Sequence, residues 1–264
     1  MSEAPLVDTH VHVFTADMPH IDNPRHTITY DFTHAQLIKT LDDHGVTLAV
    51  IAAASPYGDY NDYTIEALRA QPRRLRGTVI VKPTVERYVL EAMKRDGVVG
   101  VRLPFIALAE LPDITTFDYR RFLRRLADLD WHVHVHIEGE KLPALLPALE
   151  ASGVKVVIDH LGRPHPKTGI DGAGFAAMLR SVERGRTWVK VSAGYRLGPA
   201  SKDYARALLA RAGPERLLWA SDCPFVGHEA EVTYQHTIDW FVSCVPDATV
   251  RAQFGETARK LYFA

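Results

Sequence analysis

The strongest constraint on this chain is an eightfold alternation of short β-rich runs with longer stretches of helical periodicity. The runs are Leu6–Val13, Thr47–Ala53, Arg76–Lys82, Val98–Leu103, His132–Ile137, Lys155–His160, Thr187–Ser192 and Leu217–Asp222, each rich in Val, Ile, Leu or Thr. Between them Ala35–His44, Tyr63–Ala70, Val85–Arg95, Tyr119–Leu129, Leu142–Ala151, Gly174–Arg184 and Lys202–Ala212 read as helices. Gly45, Gly97, Gly153, Gly185 and Gly213 stand where left-handed caps are expected. Eight βα units with right-handed crossovers close most naturally into a (β/α)8 barrel. A doubly wound open sheet fits less well, because no GxGxxG follows the first run and polar residues recur at the run ends, where barrel active sites sit. The 264 residues match the roughly 250 that one barrel needs. Pro and Gly are spread evenly, so a single α/β domain, a TIM barrel over 1–264, is expected, with Val232–Cys244 and Val250–Leu261 as closing helices.

Composition narrows the function. With 31 basic against 32 acidic side chains, no field attracts a nucleic-acid backbone or an anionic membrane, and a small-molecule substrate is expected instead. The N-terminus lacks the basic-then-apolar order of a signal peptide, and the longest apolar run, Leu48 to Ala54, is far below a membrane span, so a cytoplasmic protein is expected. Cys223 and Cys244 are the only cysteines, too few for a disulfide framework or a zinc ribbon. A metal would have to use His and Asp. The oligomeric state has no signature in the sequence.

The histidines carry the chemistry. Alternate side chains of a strand share a face, so Asp8, His10 and His12 are expected to point together, and the HxH pair suits one divalent ion or one polarised carbonyl oxygen. In WHVHVHIE, His132, His134 and His136 share one face, with His136 alone at the catalytic rim and the other two packed inside. The sixth run ends in Asp159-His160 and the eighth in Asp222. Four runs thus deliver His or Asp to one rim, a coincidence that a structural role explains poorly.

These segments resemble the amidohydrolase superfamily, in the amidohydrolase-related branch that contains the 2-pyrone-4,6-dicarboxylate lactonases. The resemblance rests on DTHVHVF at 8–14, AASPYGDYN at 53–61, GVRLPF at 100–105, WHVHVHIE at 131–138, VIDHLGRP at 157–164, WVKVSAGYRL at 188–197, LLWASDCP at 217–224 and ARKLY at 258–262. It implies a distorted (β/α)8 barrel that hydrolyses a lactone or related ester. It further implies His10, His12 and His160 beside the scissile carbonyl, Asp222 as general base, and Ser55, Arg102, Arg163 and Arg196 on the substrate. Asp222 serves as base if burial or a neighbouring carboxylate raises its pKa. Two positions depart from the pyrone lactonases: Leu108 replaces a second arginine, and His136 replaces a tyrosine at the substrate. Those lactonases work without a metal, whereas other superfamily members hold one through the set that His10, His12, His136 and Asp222 would form. One zinc ion and no metal are both open, and the fourth run has no bridging lysine or carboxylate for a second ion. The alternatives to a lactonase are a metal-dependent decarboxylase of an aromatic or muconate-type acid and a non-catalytic binding barrel.

Overall fold

A computed structural model describes residues 7–264; the first six residues of the expected domain, Leu6 of the expected first strand among them, lie outside the described residues. Eight parallel strands follow one another in chain order: β1 (Val7–Val11), β2 (Leu48–Ala52), β3 (Leu75–Val79), β4 (Val98–Pro104), β5 (His132–His136), β6 (Lys155–Ile158), β7 (Thr187–Val191) and β8 (Leu217–Trp219). The connecting helices are α1 (His34–Asp43), α2 (Asp62–Ala70), α3 (Arg87–Arg95), α4 (Phe117–Asp128), α5 (Leu142–Ala151), α6 (Ala173–Glu183), the single turn α7 (Gly194–Leu197) and α8 (Ser201–Ala212). Two closing helices follow, α9 (Tyr234–Cys244) and α10 (Ala248–Tyr262). The expected TIM barrel is the observed one, and α7 is the helix that the periodicity missed. No helix among the described residues is long and apolar enough to cross a membrane.

β5 shows how the pattern builds the barrel. Val133 and Val135 are fully buried in the core shared with Leu123, Leu126, Leu145 and Leu149 of the helix ring, each such side chain contributing about 1.5–3 kcal/mol on burial. The alternate histidines face inward. His132 and His134 sit at the closed end, where Tyr262 of α10 plugs the barrel with its ring 5.0 Å from that of His132. Neighbouring β4 needs Gly100 opposite His132, because a Cβ there would lie 2.4 Å from the His132 carbonyl oxygen.

The seam of the barrel makes the site. β1 meets the chain beyond β8 through His12 N donating to Cys223 O at 2.8 Å and Asp222 N donating to His10 O at 2.9 Å. His10, His12 and Asp222 are therefore neighbours by backbone pairing alone. Several strands end earlier than expected, because the chain turns left-handed just past them at His160 (φ 53°), Leu161 (φ 58°) and Asp222 (φ 69°). Non-glycine residues pay of order 1–2 kcal/mol for that conformation, which persists where surrounding contacts over-determine the turn. These turns aim Asp159, His160 and Asp222 across the mouth rather than along a ladder.

Candidate active site

Asp222 lies at the centre. Its Oδ1 is 3.6 Å from His10 Nε2, 3.5 Å from His12 Nε2 and 3.8 Å from His160 Nε2, while Oδ2 accepts hydrogen bonds from Tyr195 Oη and Arg196 Nε, both at 2.7 Å. Burial alone would raise its pKa, but His160 and Arg196 outweigh burial and hold it well below the ordinary carboxylate value of 3.8. The permanent charge of Arg196 decides the balance. The condition set on this base, a pKa raised by burial or a neighbouring carboxylate, is thus not met: Asp222 stays ionised.

Behind the site runs a second, wholly buried layer. Asp159 takes Lys190 Nζ on Oδ1 at 3.0 Å and Arg102 Nε on Oδ2 at 3.1 Å. These two cations hold its pKa well below 3.8 against burial. Arg102 also donates to the Ala53 carbonyl at 3.0 Å and to His136 Nδ1 at 3.2 Å. Desolvation pushes His10 and His136 well below 6.5 and His160 down to about 4. The rings of His10, His136 and His160 are therefore neutral at neutral pH.

Hydrogen bonds then fix where their protons sit. A guanidinium only donates, so His136 Nδ1 accepts and its Nε2 carries the hydrogen. That Nε2 has no hydrogen-bond partner among the described residues. In His12 it is Nδ1 that carries a hydrogen, donated to the Ala52 carbonyl at 2.7 Å, while Nε2 faces Asp222 Oδ1. His160 Nδ1 meets Ser192 Oγ at 2.9 Å.

The predicted substrate residues converge on one cavity. Ser55, Arg102, His136, His160, Arg196 and Asp222 line it together with His12. Arg196 is committed to Asp222 and to the Val226 carbonyl at 3.0 Å. Arg163 is not among the lining residues; its backbone is left-handed (φ 45°) and its buried Nη1 has no hydrogen-bond partner among the described residues. Leu108 is 39 % exposed and lies away from the cavity. Asp8, expected beside the histidines, instead accepts from Tyr234 Oη, Ser221 N and the His10 amide. The β1 ladder slips between Asp8 and Val11, so the simple alternation does not hold across it.

Sequence reasoning missed Arg25 and His26, which a loop before α1 brings into the cavity wall. No pattern marks a loop arginine. It also left Asp159, Lys190 and Tyr195 without roles. Lys190 was findable, since alternation along β7 puts it on the same face as Ser192, and a lysine inside a barrel demands a partner.

Among the described residues, two sets of side chains have ligand atoms close enough to hold a metal ion: His10, His12 and Asp222, and His10, Asp159 and His160. His136 belongs to neither. The hydrogen bonds behind the rings do not fit a zinc centre built from His10, His12, His136 and Asp222. Zinc needs a lone pair on each imidazole, and Arg102 leaves His136 Nε2 an N–H instead.

A family model for amidohydrolases (Amidohydro_2) matches residues 7–264. The 2-pyrone-4,6-dicarboxylate hydrolase of Comamonas testosteroni is 32% identical over 84% of this chain and 77% of its own length. The 4-sulfomuconolactone hydrolase of Hydrogenophaga intermedia is 28% identical over 84% of this chain and 75% of its own. A crystal structure from Acinetobacter baumannii, described as a probable 2-pyrone-4,6-dicarboxylic acid hydrolase with citric acid bound, superposes with a TM-score of 0.93 at 32% identity, over 98% of this chain and 99% of that one. The chain belongs to the amidohydrolase family and is a hydrolase built on a (β/α)8 barrel.

Proposed function

We propose that this chain opens a carboxylated lactone of the 2-pyrone-4,6-dicarboxylate type by general-base hydrolysis, with Asp222 as the base. One observation carries the reading: Asp222 Oδ1, the oxygen that Tyr195 and Arg196 leave free, faces His12 Nε2 at 3.5 Å in the wall of the cavity. A water molecule seated there donates one hydrogen to Oδ1 and turns an oxygen lone pair toward the substrate. Asp222, though a weak base, is fully ionised and takes one proton as that oxygen bonds to the lactone carbonyl carbon, because the bonding makes the attacking water strongly acidic. The carbonyl oxygen gathers charge and is met by imidazole N–H groups such as His136 Nε2. The ring C–O bond then breaks, and the proton held by Asp222 passes to the departing oxygen, so that lactone and water become one hydroxy acid or its keto form.

The substrate's carboxylates find Arg25 and Arg163. Burial and the mutual proximity of guanidiniums lower both pKa values, and neither forms an ion pair with a carboxylate among the described residues. Bound anions would supply the missing counter-charge, two parallel hydrogen bonds at a time. Arg102, facing Asp159, serves the His136 tautomer more than the substrate.

A four-ligand zinc set of His10, His12, His136 and Asp222, for hydrolysis or for decarboxylation, would need His136 as a ligand against its hydrogen bond from Arg102. The spacing of His10, His12 and Asp222 is what favours a metal. The experiment is an assay of the purified protein on carboxylated lactones and aromatic acids, with and without chelator, following proton release and carbon dioxide. Lactone opening that survives chelation is expected. Release of carbon dioxide, or turnover that tracks zinc content, would overturn the proposal.

A further inference from the structure

Lys190 has 0 % exposure inside the barrel. Its ammonium has three N–H groups and no acceptor, and it meets three partners: Asp159 Oδ1 at 3.0 Å, His10 Nδ1 at 3.0 Å and His134 Nδ1 at 3.1 Å. Burial lowers its pKa from 10.5, and the Asp159 carboxylate opposes that by holding the proton on it. An ammonium only donates, so Nδ1 of His10 and of His134 must accept its hydrogen bonds. A neutral imidazole that accepts at Nδ1 carries its hydrogen on Nε2. His134 agrees, since its Nε2 lies 3.2 Å from Tyr262 Oη, which can accept that hydrogen.

We infer that Lys190 is a positioning residue that locks His10 in the Nε2–H tautomer, so that the ring presents a hydrogen-bond donor to the substrate's carbonyl oxygen instead of a lone pair to a metal. Two observations outside Lys190 point the same way. His10 Nε2 is buried, has no hydrogen-bond partner among the described residues, and faces the anionic Asp222 Oδ1 at 3.6 Å, where an N–H is favoured over a lone pair. The same carboxylate, Asp159, anchors Arg102, which imposes the identical tautomer on His136 through its bond at 3.2 Å. One buried aspartate thus fixes two cations, and each cation turns one imidazole N–H into the mouth. The inference rests on the hydrolytic reading for its purpose, while the tautomer itself is independent of it.

Removing the lysine should reverse the ring. Asp159 Oδ1 lies 3.3 Å from His10 Nδ1, so without the ammonium Nδ1 can take the hydrogen and donate to that oxygen. Nε2 would then offer a lone pair beside His12 Nε2 and Asp222 Oδ1, whose spacing suits a divalent ion.

The test begins with the unaltered protein. Nitrogen-15 spectra of its histidine rings, assigned with His10→Gln, should show His10 with Nε2 protonated and Nδ1 bare. A protonated Nδ1 would overturn the inference without any variant. In Lys190→Met the tautomer should switch, and zinc binding followed by titration calorimetry should tighten about tenfold or more, the scale of outer partners on metal affinity. On a lactone substrate kcat should fall about 100-fold, as for loss of one oxyanion donor, with KM nearly unchanged. Unaltered zinc affinity in a folded Lys190→Met protein would also overturn it. If the Nε2–H tautomer is found and no lactone is turned over, the hydrolytic reading fails and the role of Lys190 stands.

Discussion

Arg196 grips Asp222 on Oδ2 at 2.7 Å, and so divides one carboxylate into an anchored oxygen and a working one. Tyr195 reinforces the anchor, while Oδ1 alone faces the three imidazoles. Replacing Asp222 with Asn keeps an acceptor for Arg196 and turns an amide N–H2 toward the water seat. Turnover should therefore drop at least about a hundredfold, the usual scale of general-base loss, with little change in melting temperature. Near-normal kcat in that variant would remove Asp222 from the mechanism.

Arg25 enters from the β1–α1 loop with its charge uncompensated, and this gives it a measurable signature. Truncation to Met should raise KM for a dicarboxylated lactone by roughly tenfold to a hundredfold, the range for one charge-assisted hydrogen bond, and leave kcat almost as it was. Arg163→Met should act in the same direction, because both side chains supply uniform binding rather than transition-state contacts. Steady-state kinetics on dicarboxylated and monocarboxylated substrates would compare them. Equal effects on both substrates would show that Arg25 does not hold the second carboxylate.

The buried histidines predict acid lability. Burial holds His10, His134 and His136 well below 6.5, and His132 and His160 near about 4. In the unfolded chain these groups gain protons from about 6.5 downward, whereas folded they stay neutral. The stability they confer is therefore complete above that pH and is lost as pH falls toward 4, by up to about 1.4 kcal/mol per pH unit for each group. Asp159 and Asp222, with depressed pKa values, lose their contribution only at still lower pH. Melting temperature should be level near pH 7 to 8 and drop steeply from 6.5 to 4.5. A flat profile would mean that these rings are protonated in the fold.

The barrel was legible because period-two runs and helical stretches alternate without interruption, and because Val133 and Val135 declare an outer face opposite the β5 histidines. His10, His12, His160 and Asp222 were legible as polar residues at run ends. What escaped is non-local or conformational. Arg25 is placed by a loop whose path no periodicity encodes. The base role of Asp222 was tied to a pKa raised by burial or a neighbouring carboxylate, and its depression comes from His160 and from Arg196, twenty-six positions away in the chain. Asp8 was lost to a register slip in β1. The protonation pattern of His136 depends on which donor stands behind it, and Arg102 meets it across the β4–β5 pair.

His136 separates the two chemistries most sharply. If its Nε2–H serves the carbonyl oxygen, a tyrosine in its place offers an O–H donor from the same strand end, and the phenol, with an ordinary pKa near 10, stays protonated at neutral pH. His136→Tyr should then retain turnover within about tenfold, since one donor replaces another of similar reach. Metal content of the two proteins, measured after purification without chelator, should be equally low. A zinc centre that used His136 would behave differently, because a neutral phenol is a poor ligand and the site would lose its fourth arm. Metal and activity would then fall together. That joint loss would replace the general-base reading with a metal-activated water and would require Arg102 to release His136 Nδ1, a rearrangement visible as a changed imidazole tautomer when zinc is added.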